Sequence, residues 1–179
     1  DFTGTKLTIA CPACPTNKRT IYQGHLFVGD QLLSDSPMKD HPLTPMRDAN
    51  LVRVLGAQTR RKVGLVPHAI VSQGPAAVKA AYAQAQNDGI CHLIVDAISD
   101  ADLITIGTAS ADLALITGGS GVALGLPQNF RAQGLLKADS GGAHAPAPAG
   151  RSIILAGSCS AMTRQQVAAA KAAGLPSFQ

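Results

Sequence analysis

Apolar residues come in short runs along this chain, and each run closes on a polar or glycine turn. The clearest case is residues 90–126, ICHLIVDAISDADLITIGTASADLALITGGSGVALGL. An apolar run at 90–95 ends in Asp96, a helix-like segment capped by Ser99 or Asp100 follows, and a second run at 113–117 breaks into Gly118-Gly119-Ser120-Gly121. Strand, helix, strand and glycine turn make one βαβ unit, with polar groups just past both strand ends. Ligands of open parallel sheets collect at those carboxyl ends, so a site is expected there.

The pattern extends in both directions. Residues 7–10 read as a short buried strand that runs into a proline-punctuated loop at 11–15. Strands at 20–22 and 25–28, a Gly29-Asp30 turn and a return strand at 31–33 predict a β-hairpin excursion outside the parallel sheet. Residues 34–46, with three prolines, read as a loop. Asp48 is expected to cap a helix through Thr59, with Leu51, Val52, Val54 and Leu55 on its apolar side. A strand at 63–66 comes next, then a helix that opens on Pro75 and ends at Asn87-Asp88-Gly89.

Beyond residue 131 the composition shifts. Residues 132–150, rich in Ala, Pro, Gly and Ser, read as an extended linker. A strand at 151–156, a tight turn Gly157-Ser158-Cys159-Ser160 and an alanine-rich helix at 162–173 follow, closed by Gly174 and Pro176. One strand and one helix cannot bury both their faces, so this end reads as the opening of a second domain and the chain as a fragment or truncated form. The expected fold is α/β: a three-layer, mostly parallel sheet domain with a β-hairpin excursion (residues 1–131), a linker (132–150), and the start of a second α/β domain (151–179).

Composition narrows this only a little. With 46% apolar residues, 3% aromatic and no tryptophan, Ala, Val, Ile and Leu must fill the core. The apolar runs fall far short of the ~20 residues a membrane span needs. The net charge is +4, and Arg60-Arg61-Lys62 is the sole basic run, without interleaved aromatics. That pattern suits a solvated helix end or small anionic ligands better than nucleic acid. Cys11 and Cys14 have zinc-knuckle spacing, but no second pair completes it, so the four cysteines are expected to be reduced thiols of a cytosolic protein. The histidines have no ligand spacing, and no metal site is expected.

Four groupings could carry chemistry. The turn at 157–163, rich in Ser and Thr before a helix, could bind an anion through backbone N–H groups; N-capping by Ser160 is the alternative. No GxxxxGK[ST] motif occurs, which excludes a P-loop ATPase. The turn Gly118-Gly119-Ser120-Gly121 could hold a phosphate or carboxylate, or be structural. Arg19 could grip a carboxylate bidentately, or lie solvated at the surface. Asp96 and Asp100 could orient a hydroxyl or act as a base, or cap a helix.

The run CPACPTNKRTIYQGHLFVGDQLL, with DHPLTPMRDANLVRVLGAQTRRKVGLV, VDAISDADL, TGGSGVALGLP and LAGSCSAMTRQQV in that order, resembles the four-carbon acid sugar kinases, nearest their 3-oxo-tetronate branch. The resemblance covers nearly the whole chain after residue 7. It implies a cytoplasmic two-domain enzyme that uses ATP and Mg²⁺ to phosphorylate a hydroxyl of a four-carbon sugar acid: 3-oxo-tetronate, threonate or erythronate. The first domain would hold the acid and the second the nucleotide, and a homodimer fits the same picture. By motif, Arg19, Gly24, Asp96, Gly118, Gly119 and Ser120 correspond to acid-binding positions, and Ser158 and Ser160 to nucleotide contacts; no catalytic base is assigned. Two departures stand out. Asp1-Phe2-Thr3-Gly4 resembles the family's opening acidic motif, yet the proline loop follows almost at once, so Asp1 is not carried over. The family's glycine-rich nucleotide loop is also missing, so this chain alone is expected to be weak or inactive as a kinase.

Two other classes compete. A non-catalytic sugar-acid-binding module would bind without turnover. A Rossmann-like oxidoreductase is disfavoured, because no GxGxxG occurs.

Overall fold

The computed structural model describes residues 4–136, 149–150, 152–158 and 160–178. In chain order these form β1 (Thr8–Cys11), β2 (Arg19–Tyr22), β3 (His25–Val28), β4 (Gln31–Leu32), α1 (Leu51–Gly56), β5 (Lys62–Val66), α2 (His68–Val71), α3 (Pro75–Asn87), β6 (Ile90–Val95), α4 (Asp100–Ala109), β7 (Ile116–Gly118), α5 (Pro127–Ala132) and α6 (Ala161–Ala172). Two compact units result, residues 1–139 and 140–179.

The first unit is an α/β fold. Strands β5, β6, β1 and β7 lie side by side in that order, all parallel. β1 is one of the two inner strands, and Thr8, Ile9 and Cys11 within it are buried, as is Leu7 just before it. α3 packs against β5, β6 and α4, while α1 packs against β5 and β6. Strands β2, β3 and β4 form a separate antiparallel sheet, the expected excursion. It is tied back through Ile21, whose backbone exchanges hydrogen bonds with Ala97 just past β6.

Several boundaries differ from expectation, each for a local reason. The 48–59 helix is shorter. Asn50, not Asp48, caps it by accepting from the Arg53 N–H, while Asp48 accepts from Asn50 N–H and pairs with the Arg53 guanidinium. The strand expected at 113–117 starts only at Ile116, where pairing with Ile9 of β1 begins. The glycine turn after it continues as a 3₁₀ turn, Ser120–Gly125, and α2 was not anticipated at all. Of the two caps considered for α4, Ser99 is the one used, in a full capping box with Asp102.

In the second unit α6 forms close to where it was expected. The strand expected at 151–156 does not: residues 152–156 have no ladder partner among the described residues, and Ile153, Ile154 and Leu155 are 80–85% exposed. A strand is held by its neighbours, and this segment has none here. Most of the expected linker (137–148), the first three residues of the opening motif, Arg151 and Cys159 lie outside the described residues.

Candidate functional site

The carboxyl ends of β5 and β6 converge on Asp96. Its carboxylate is fully buried, and three backbone N–H groups are aimed at it. Oδ1 accepts from Gly24 (2.9 Å); Oδ2 accepts from Gln23 (2.6 Å) and His68 (3.0 Å). Its own N–H donates to Val66 O. One side chain therefore fastens the β2–β3 turn, the start of α2 and the end of β6. The turn needs such an anchor. Gln23 and Gly24 both have positive φ (51° and 71°), as a two-residue hairpin of the right twist demands, and a non-glycine residue resists that geometry. Burying a carboxylate is tolerable only with several donors, and these are supplied.

Next to it stands Asp102 on α4. Its Oδ2 accepts from Ile98 N–H, Ser99 N–H and Ser99 Oγ, each at 2.9 Å. The imidazole of His68 approaches the same oxygen, with Nε2 at 3.4 Å. The Tyr22 ring flanks that imidazole, centroid to centroid 6.1 Å.

A second grouping forms around the ends of β1 and β7. Arg19 and Cys14 exchange backbone hydrogen bonds, which closes the proline loop. The glycine turn lies against that loop. A methyl at Gly118 would overlap the Cys11 carbonyl, and one at Gly121 the Ala13 carbonyl. These glycines thus allow two backbones to touch, and Gly119 and Ser120 sit between them, with Ser120 exposed. The Arg19 guanidinium donates to Asn17 O (3.3 Å) and has no acidic partner among the described residues. Thr16 Oγ1 donates to Asp100 (3.0 Å), linking the loop to the start of α4.

The acid-site residues inferred from sequence thus fall into two groups at the same end of the sheet. Gly118, Gly119 and Ser120 belong to the turn packed on the 11–14 loop, whose Cys14 pairs with the backbone of Arg19; Gly24 lies with Asp96. Arg19 opens β2 and Gln23 follows its last residue, about 13 Å along at the rise of an extended strand. The carboxylate oxygens of Asp96 are all engaged by backbone, so its part in any site is to hold loops. Sequence reasoning missed His68 and Asp102. The available signal was the Ser99-x-x-Asp102 capping pattern; nothing local tied it to His68.

In the second unit Ser160 accepts from Thr163 N–H (3.1 Å), so the capping alternative is realised. Ser158 Oγ accepts from Ser160 N–H (3.1 Å). Ser158, Thr163, Arg164 and Lys171, with Ala156, Val167 and Ala168, line a solvent-open concavity of about 290 Å³. Among the described residues no group of His, Cys, Asp or Glu could hold a metal, and no helix is long and apolar enough to cross a membrane.

Burial raises two ionisations in the core: the Cys11 thiol is pushed up to about 12, and the Tyr82 phenol also to about 12. Cys11 is therefore a packing thiol, unsuited to nucleophilic work.

Residues 1–126 match the family model described as "Sugar-binding N-terminal domain". The chain is 54% identical over 176 residues to a 3-oxo-tetronate kinase of Pseudomonas fluorescens, covering 98% of this chain and 41% of that one. It is 54% identical over 179 residues to a 3-oxo-tetronate kinase of Burkholderia multivorans, covering 100% and 42%. Among solved structures it is similar to Haemophilus influenzae protein HI1011, at 42% identity and TM-score 0.70, covering 93% of this chain and 39% of that one. The chain spans about two fifths of the length of the curated relatives it matches.

Proposed function

The chain belongs to the sugar-binding N-terminal domain family, and from that premise we propose that it is the acid-recognising part of an ATP-dependent kinase for a four-carbon sugar acid. The observation that carries this reading is the 54% identity to two 3-oxo-tetronate kinases along essentially all of the chain. The first unit would take the acid at the carboxyl ends of its strands. Arg19, with most of its N–H donors free among the described residues, suits the acid's carboxylate. Gly119 and Ser120, in the turn packed on the 11–14 loop, would add backbone and hydroxyl donors. Asp96 and Gly24 hold the neighbouring turn in place.

The second unit's concavity fits a polyphosphate: Arg164 and Lys171 supply charge, and Ser158 and Thr163 supply hydroxyls. Mg²⁺ arriving with the nucleotide would offset charge on the transferred phosphoryl group. Phosphoryl transfer asks the protein mainly for positioning and charge stabilisation, which these residue types can give. The reading carries a cytoplasmic location with it.

One experiment tests the core of this. ADP formation and calorimetric binding are measured with 3-oxo-tetronate, D-threonate and D-erythronate. Saturable binding of at least one acid is expected, with turnover weak or absent in the isolated chain. Binding of none refutes the reading. The match of residues 1–126 to a sugar-binding domain also favours a second reading, a binding module without nucleotide handling. Tight acid uptake with no ATP binding would select it.

A further inference from the structure

We propose that His68 is a substrate-recognition residue whose Nδ1 accepts a hydrogen bond from a hydroxyl of the bound sugar acid, with Asp102 as the residue that positions its ring. This rests on the reading above, that the strand ends of the first unit take a polyhydroxy acid.

Three observations lead here. First, the residue is placed from two sides. The His68 backbone N–H is held by Asp96, and Nε2 lies 3.4 Å from Asp102 Oδ2, within ion-pair reach. Three donors from Ile98 and Ser99 already converge on that oxygen, so Asp102 is an acceptor there, and its nearness favours the neutral tautomer with the ring proton on Nε2. In that tautomer Nδ1 is the lone-pair nitrogen. Second, Nδ1 has no hydrogen-bond partner among the described residues, while the side chain is only 22% exposed. Third, the ring sits just past β5, beside the end of β6, where ligands of open parallel sheets bind, with Tyr22 as one wall. A base-and-orienter pair of this kind is recognised by its geometry and not by its spacing. His68 and Asp102 lie far apart in the sequence and meet only because β5 and β6 are neighbours.

The test uses the 179-residue chain, with D-threonate and D-erythronate as probes. His68→Ala should weaken binding about tenfold, the worth of one well-placed hydrogen bond. His68→Asn, whose amide oxygen can stand near the Nδ1 position, should recover part of the loss. His68→Gln, which reaches the Nε2 position instead, should not. Asp102→Asn should weaken binding by a smaller factor. In the wild-type chain, the ¹⁵N resonance of His68 Nδ1 should move when either acid is added, a response that a purely structural histidine would not give. This resonance keeps the proposal open to refutation even if a variant fails to fold. Unchanged affinity in His68→Ala with a stationary Nδ1 resonance overturns the proposal alone. A wild-type chain that binds neither acid overturns the underlying reading and the proposal together.

Discussion

Two stretches of this chain are written in nearly the same pattern and end in different states. Residues 90–109 run apolar strand, polar turn, Ser99 cap, helix. Residues 152–172 run apolar segment, polar turn, Ser160 cap, helix. Both serines cap as the sequence suggests. The apolar segments diverge. Leu93, Ile94 and Val95 are at most 3% exposed, whereas Ile153, Ile154 and Leu155 are at least 80% exposed. The difference lies in the neighbours. β6 has β5 on one edge and β1 on the other, with α3 against it; residues 152–156 have no ladder partner among the described residues. Capping is local and comes with the motif. A strand is a tertiary object, and burying its side chains, worth roughly 1.5–3 kcal/mol each, waits for a partner.

The two stretches differ most at their polar anchors. Asp96→Ala would leave the buried Gly24 N–H and the part-buried Gln23 and His68 N–H groups without their acceptor and should cost about 2–4 kcal/mol, read as a lower urea midpoint for the first unit. A loss below about 1 kcal/mol would show that the carboxylate is not the knot of this site. Ser158→Ala, at the matching turn of the second unit, should leave that midpoint unchanged.

Leu93→Ala should cost about 2–5 kcal/mol by opening a cavity in the packed core. Ile154→Ala should stay within about 0.5 kcal/mol. Equal effects would mean that the 152–156 segment is buried in solution, against the exposure described here. Gly121→Ala sharpens the same contrast from the backbone side. Its new methyl meets the Ala13 carbonyl, so a loss of about 1–3 kcal/mol is expected by differential scanning calorimetry.

A pH scan gives a smaller, cumulative effect. Cys11 and Tyr82 titrate near 12 when folded because of burial, above their ordinary values of 9.0 and 10.0. The unfolded chain loses these protons first, so their contribution is fully present below about pH 9 and declines as the pH rises towards 12. Near-UV ellipticity of Tyr82 should follow this loss. At the acid end, the Arg53 guanidinium and the Asn50 N–H hold exposed Asp48 down to about 2. Its contribution is present above pH 3.8 and fades as the pH falls towards 2, and Asp48→Asn should flatten that part of the curve.

The smallest effects compare the two caps. Ser99→Ala removes one arm of a capping box that Asp102 completes, and should cost about 1–2 kcal/mol. Ser160→Ala removes a simpler cap on an exposed helix and should cost about 0.5–1 kcal/mol, seen as reduced helicity by circular dichroism.

Much of the first unit was legible in the sequence. Runs such as 7–10 and ICHLIV, the Gly29-Asp30 turn and Pro75 at a helix start each act within a few residues, and the corresponding elements stand within a residue of where the pattern puts them. The site was legible only in part. The expectation of a site at the strand ends follows from the βαβ pattern, but the engagement of both Asp96 oxygens by Gln23, Gly24 and His68 does not. Those partners lie 28 to 73 residues away, and no periodicity reports contacts at that range.

What the sequence determined by itself was therefore periodicity, capping and turn chemistry, together with the likeness carried by its motif blocks. These depend on side chains within one or two turns of each other. The tertiary structure decided which apolar run becomes a strand, that the glycines of 118–121 let one backbone lie on another, and that His68 faces Asp102. The reason is geometric: strand pairing brings distant residues to one edge of a sheet, and their chemistry exists only once they are there.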